Sequence, residues 1–269
     1  MKTLYVSDLD GTLLRSDETI SEYTIQVINE LVEKGMIFSY ATARSFHTAH
    51  KVTQGFHAKI PLIVYNGTMI KDNLTKEIIV SNFFDESIDH LITDLINHEI
   101  YPIVYSIMNN EEKFSYIEDK CSQGTIDFIH SRKNDIRSHP VEYIEDLYKG
   151  NKFYITCIDK KEKLEPIYKK YKNVFHCIYQ KDFYSKEQWL EFLPNNASKS
   201  NAVQQLKEYL GCDKVVVFGD GKNDIDMFEQ ADECYAVENA VDELKCIATQ
   251  IIGHHNDNAV AKWLKENYK

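Results

Sequence analysis

At 269 residues, with 43% hydrophobic and 27% charged side chains, the chain has the composition of a globular protein of one or two domains, not of a disordered one. A formal net charge of −11 argues against a nucleic-acid partner, which would need a basic footprint, and repels anionic ligands at long range. No apolar run reaches the roughly 18–20 residues that span a bilayer, and Asp8 and Asp10 interrupt the one early stretch where a signal peptide would sit, so a cytoplasmic protein with no membrane partner is expected.

Leu4-Tyr5-Val6 reads as a short buried strand running into Asp8-Leu9-Asp10-Gly11-Thr12. Residues 21–34 read as a helix: Ser21 caps it, Ile25, Ile28, Leu31 and Val32 share a face, and Gly35 stops it. Met36 to Ala41 is strand-like, 45–54 is a second helix, and Pro61 to Tyr65 is a third strand closed by Asn66-Gly67. Strands alternating with helices imply βαβ units and a parallel sheet.

From about 83 to 189 the texture changes. A helix pattern from Ser87 to His98 precedes the strand-like YPIVYSI, and KFYITCI, a helix over 161–172, VFHCIYQ and WLEFL follow. Aromatic and β-branched strands mixed with helices point to an inserted α+β module with an open, largely antiparallel sheet. Trp189, Phe192 and Leu193 read as core packing where the chain returns. The first pattern then resumes: Ser198 caps a helix that Gly211 stops, and Lys214 to Phe218 (KVVVF) is a strand buried on both faces. A helix through Ile225, Met227 and Phe228, the strand Tyr235-Ala236-Val237 and two short helices finish the chain. The expected organisation is an α/β core of residues 1–82 and 190–269 interrupted by a domain of residues 83–189.

The chemistry-bearing stretches fall where predicted core strands end, which is where open α/β sheets bind ligands. Asp8-Leu9-Asp10-Gly11-Thr12 places two carboxylates beside a tight turn with free N–H groups, a donor set suited to a hard cation. Thr42 stands at a strand-to-helix junction, where its hydroxyl either donates to a phosphate oxygen or caps the next helix. Lys199 lies in the first turn of a helix, against the dipole, a conflict that a bound anion would resolve and a solvated surface position would not need to. Gly219-Asp220-Gly221-Lys222-Asn223-Asp224 is a second acidic cluster after a second buried strand, and with the first it forms a candidate oxygen-lined Mg²⁺ pocket.

Taken together, Asp8 to Leu13, Thr42, Lys199 and Gly219 to Asp224 resemble the four motifs of the haloacid-dehalogenase-like hydrolase superfamily. The insertion resembles the cap of its Cof-type sugar-phosphatase branch. The resemblance implies a Rossmann-like parallel-sheet core with an α+β cap domain, and a Mg²⁺-dependent phosphatase acting on a small phosphorylated metabolite, by default a sugar phosphate. It assigns Asp8 as the nucleophile that becomes an aspartyl-phosphate, and Asp10 as general acid and base. It assigns Thr42, Lys199 and Asn223 to the phosphoryl group, and Asp8, Asp10 (through its backbone carbonyl), Asp220 and Asp224 to the metal. Two departures stand out: Ala43 replaces the glycine of a usual Thr-Gly-Arg, and Val237-Glu238-Asn239-Ala240 replaces a usual Gly-Asn-Ala, adding a carboxylate at Glu238.

Rival readings are a phosphotransferase or mutase of the same fold, and a phospho-switch or metabolite-binding protein without turnover. His47 and His50, three apart on a predicted helix, read as ordinary imidazole packing more than a metal pair, and His254-His255 as a solvated loop. Tyr105, Arg132, Tyr184 and Lys186 are candidate substrate-facing residues of the insertion. The six cysteines have no metal-like spacing and are expected as reduced, mostly buried thiols. Oligomeric state is not legible.

Overall fold

A computed structural model describes residues 1–56, 60–181 and 187–268; Tyr184 and Lys186 lie outside them. The chain folds into two compact units, Met1–Ser81 with Ala197–Lys269, and Asn82–Asn196.

The first unit begins with β1 (Thr3–Asp8), α1 (Glu22–Glu33), β2 (Ile37–Ala41), α2 (Phe46–Val52), β3 (Pro61–Val64), β4 (Met69–Asp72) and β5 (Ile78–Ser81). Ser21 caps α1, its Oγ accepting from Thr24 N, and Gly35 follows the helix at φ 101°. Ser45 caps α2 in the same way, accepting from Thr48 N.

The second unit carries α3 (Ile88–Asn97), β6 (Ile103–Met108), β7 (Glu111–Tyr116), α4 (Gln123–His130), β8 (Ser138–Pro140), β9 (Asn151–Asp159), α5 (Lys161–Tyr171), β10 (His176–Lys181) and β11 (Gln188–Leu193). Its sheet has the order β10-β11-β9-β6-β7-β8, antiparallel except for the β7–β8 pair. One face is covered by Leu91, Ile92 and Leu95 of α3 and Leu164 and Ile167 of α5, packed on Val104, Ile155, Cys157, Leu190 and Phe192. Because β11 pairs with both β9 and β10, residues 190–196 stay with this sheet, beyond the boundary at 189 that the sequence pattern suggested. Phe192 and Leu193 are fully buried, and Trp189 packs edge-on against Phe128.

The chain returns to the first unit through α6 (Lys199–Leu210), β12 (Lys214–Gly219), α7 (Ile225–Gln230), β13 (Glu233–Ala236), α8 (Asp242–Ile247), β14 (Gln250–Ile251) and α9 (Ala259–Asn267). Its sheet runs β14-β13-β12-β1-β2-β3-β4-β5. From β14 to β3 every pairing is parallel, and β4 and β5 join antiparallel. The central strands are buried on both faces, as parallel strands between helix layers must be: Leu4, Val6, Val215, Val217 and Phe218 have no exposed surface. This α/β architecture matches the expected fold class.

All six cysteines are free, three of them buried (Cys157, Cys212 and Cys234). Among the described residues no helix is long and apolar enough to cross a membrane.

Candidate active site

Register brings the acidic motifs to one edge. β1 lies between β2 and β12, with Asp8 paired to Ala41 and Ser7 to Phe218. The residues that follow, Thr42 on one side and Gly219-Asp220 on the other, therefore leave the sheet beside Asp8. An irregular turn, Leu9–Leu13, closed by Leu14 N donating to Leu9 O at 2.8 Å, takes the chain away from Asp8. Gly11 within it sits at φ 76°, and a Cβ there would lie 2.3 Å from Asp220 Oδ2, so only glycine permits the approach. Thr12 Oγ1 donates to Asp220 Oδ1 at 2.9 Å, tying the two motifs together.

Lys199 opens α6, whose cap Ser198 accepts from Asn201 N at 3.1 Å. Its ammonium is buried and donates to Asp8 Oδ1 at 2.5 Å and Asp224 Oδ1 at 2.7 Å. The conflict with the helix dipole is thus resolved by carboxylates of the protein itself, and Lys199 is no solvated surface residue. One of its three protons is left over for another acceptor. Asp224, with no exposed surface, also accepts from the backbone N–H groups of Asp220 (3.1 Å) and Gly221 (3.0 Å) through Oδ2. It fixes the turn after β12 and the lysine at once.

Carboxylate oxygens of Asp8, Asp220 and Asp224 lie within 4.8 Å of one another. Two of these acids, Asp8 and Asp224, are buried and share the Lys199 ammonium, while Asp220 is partly exposed and accepts from Thr12. Burial pushes the Asp8 carboxyl well above the ordinary range, opposed by Lys199 and reinforced by Asp224 and Asp220. Burial also raises Asp220, with Asp224 adding to it and the Thr12 hydrogen bond opposing. For Lys199 burial acts downward, but Asp224 and Asp8 outweigh it and hold the ammonium above its usual value. An all-oxygen cluster with excess negative charge is the donor set of a hard divalent cation, so these residues fit Mg²⁺.

Thr42 is fully buried, with its hydroxyl accepting from Arg44 N at 3.1 Å. Ser45, not Thr42, caps α2, which removes the capping alternative and leaves the Thr42 O–H proton to donate. Asp10 does not join the cluster with its carboxylate. Both of its oxygens accept from the Arg44 guanidinium instead. Asn223 is exposed, its side chain lying over Gly221 and not bonded to Asp224.

Two contributors had no role assigned from sequence. Asn239 donates to Gly11 O at 2.7 Å and accepts from His255 N at 3.2 Å, bracing the glycine turn. His255 is buried, with Nδ1 2.8 Å from Leu14 O and Nε2 3.3 Å from Ser16 Oγ, so it belongs to no solvated loop. Glu238 is exposed. His50 stacks on Phe46, and among the described residues the Asp8-Asp220-Asp224 group is the one acid, histidine or cysteine cluster with metal-like geometry. In the second unit Tyr105 is buried among Phe114, Phe153 and Tyr154, while the Arg132 guanidinium lies over the Phe128 ring at 3.6 Å.

A family model described as haloacid dehalogenase-like hydrolase matches residues 5–264. The chain is 23% identical over 272 residues to a Bacillus subtilis 5-amino-6-(5-phospho-D-ribitylamino)uracil phosphatase, covering 98% of this chain and 97% of the relative. It is 24% identical over 269 residues to an HMP-PP phosphatase of Serratia proteamaculans, covering 98% and 95%. A solved Thermotoga maritima structure superposes with a TM-score of 0.82 at 25% identity, covering 100% of this chain and 98% of that one.

Proposed function

Because the chain belongs to the haloacid dehalogenase-like hydrolase family, we propose that it is a Mg²⁺-dependent phosphatase that hydrolyses a small phosphorylated metabolite through an aspartyl-phosphate. The observation that carries this is the buried Lys199 ammonium held between Asp8 and Asp224, with Asp220 alongside. Residues from three sheet strands and one helix converge on a nucleophile, a cation and an oxygen-lined metal pocket. The two relatives above are named for phosphatase activity on phosphorylated small molecules, which supports the substrate class. A sugar phosphate is the default within it.

In the first step an Asp8 carboxylate oxygen attacks phosphorus. The P–O bond to the leaving group breaks, and Asp10 delivers a proton to the departing oxygen. In the second step Asp10 takes a proton from water, whose oxygen attacks the aspartyl-phosphate and releases phosphate and free Asp8. The Thr42 hydroxyl and the remaining Lys199 proton donate to the non-bridging oxygens, where charge accumulates. Asn223, exposed at the turn, is free to reach the same oxygens. Mg²⁺, held by Asp8, Asp220, Asp224 and the Asp10 backbone carbonyl, would screen the repulsion between carboxylate and phosphate. Asn82–Asn196 is assigned the choice of leaving group.

Asp8→Asn tests the assignment. It removes the nucleophile while keeping the shape of a buried side chain, so turnover of p-nitrophenyl phosphate should vanish from a folded protein. Full activity in that variant would overturn the mechanism. Phosphate release from a panel of sugar phosphates without any added acceptor separates hydrolysis from transfer.

A further inference from the structure

We propose that Arg44, backed by Glu18, is a positioning residue that aims the Asp10 carboxylate for proton transfer; the inference rests on the phosphatase assignment above. Arg44 Nε donates to Asp10 Oδ1 at 3.0 Å and Oδ2 at 2.9 Å, and Nη2 to Oδ1 at 2.6 Å. The planar guanidinium thus straddles both carboxylate oxygens and fixes the plane of the carboxyl group, which a point charge on a flexible stem would not do. The same Nη2 donates to Glu18 Oε2 at 2.8 Å, so the fork is gripped from its far side as well.

The backbone around this relay is over-determined. Arg44 N donates to Thr42 Oγ1 at 3.1 Å, and Arg44 O accepts from Tyr65 N at 2.9 Å. Tyr65 and Glu18 both hold left-handed conformations, at φ 51° and φ 60°, which non-glycine residues adopt at a cost. Two strained residues therefore secure the two ends of one arginine. Stability is a poor explanation for that expense. The Asp10 side chain is 47% exposed and that of Glu18 70%, and ion pairs so open to water contribute little. Orientation is the better one, because the open carboxylate must meet a leaving-group oxygen in one step and a water in the next. Through Thr42 the arginine is also joined to the residue proposed to hold the phosphoryl group, so proton donor and phosphoryl grip share a frame.

The test reads the leaving-group dependence. Positioning of a general acid matters for an alkyl phosphate, whose alkoxide needs a proton, and hardly for p-nitrophenyl phosphate, whose phenolate leaves without one. Values of kcat/KM for glycerol 3-phosphate, or for the sugar phosphate the enzyme hydrolyses best, are compared with those for p-nitrophenyl phosphate in wild type, Arg44→Lys and Glu18→Gln. The alkyl-to-nitrophenyl ratio should fall at least tenfold in Arg44→Lys and about threefold in Glu18→Gln, with inhibition by orthovanadate unchanged. A ratio that stays constant while both activities fall together would overturn the proposal. So would a tenfold weakening of orthovanadate inhibition, which would place Arg44 on the phosphoryl group. Should Arg44→Lys fail to fold, Glu18→Gln decides alone, since its side chain is mostly exposed. Asp8→Asn, run in parallel, separates the two levels: if it remains active the phosphatase mechanism has failed, whereas a dead Asp8→Asn with an unchanged ratio refutes Arg44 alone.

Discussion

Gly11→Ala should separate metal binding from folding. At φ 76° an alanine costs about 1–2 kcal/mol of backbone strain. Its Cβ would stand 2.3 Å from Asp220 Oδ2, whereas ordinary contact begins at 3.4 Å, so the oxygen must retreat by about 1 Å. The obstacle is the end of a side chain and not backbone, so the carboxylate can swing away and the fold survives. That swing stretches the 2.9 Å Thr12–Asp220 hydrogen bond beyond bonding distance and takes one of three carboxylates out of the cluster. The expected result is a thermal midpoint lowered by several degrees and a Mg²⁺ concentration for half-maximal activity raised at least tenfold, measured by titrating the ion into the apo enzyme. A variant that loses stability but keeps the wild-type Mg²⁺ requirement would refute the contact between Gly11 and the metal pocket.

Other consequences follow from individual contacts. Asp224→Asn can keep the two backbone N–H bonds only by turning its amide toward the Lys199 ammonium, so chemical denaturation should show a loss of about 2–3 kcal/mol together with loss of activity. Chelation should abolish activity and Mg²⁺ restore it. The ion should also raise the thermal midpoint of wild type but not of Asp220→Asn, because binding to the native state alone stabilises it. In the second unit burial pushes the Glu191 carboxyl from 4.5 up to about 7, against hydrogen bonds from Tyr154 and Thr156. A raised carboxyl favours the fold fully below its unfolded value and loses that contribution as pH climbs through 7. Wild type should therefore lose about 1–2 kcal/mol between pH 5 and 8 that Glu191→Gln does not lose, the figure being reduced for partial exposure; parallel pH profiles of unfolding check it.

The core was legible because its signals are local. KVVVF, the Ser21 and Ser198 caps and the stops at Gly35 and Gly211 each act within one element, and the structure follows them closely. β7 went unread because Glu111-Glu112-Lys113 makes half of it polar, and α4 because eight residues make little more than two turns, too few for a helical period to stand out. The boundary at 189 moved because strand pairing, which depends on distant β9, decides where β11 belongs. At the site, motif spacing marked Asp8, Thr42, Lys199, Asp220 and Asp224 as strand-end residues. It had no way to report that Lys199 would sit between two of those acids, or that Asp10 would turn to Arg44. Both are side-chain pairings across long sequence separations. Ala43, where glycine is usual, neighbours an ordinary junction in which Thr42 and Arg44 are joined by a hydrogen bond.

The most direct measurement is the site of phosphorylation. Enzyme mixed with substrate and quenched in acid within one turnover, then digested and sequenced by mass spectrometry, should carry a single phosphoryl group on Asp8, absent from Asp8→Asn. A phosphoryl group on any other residue, or rapid hydrolysis with none on Asp8 at any quench time, would contradict covalent catalysis at the end of β1.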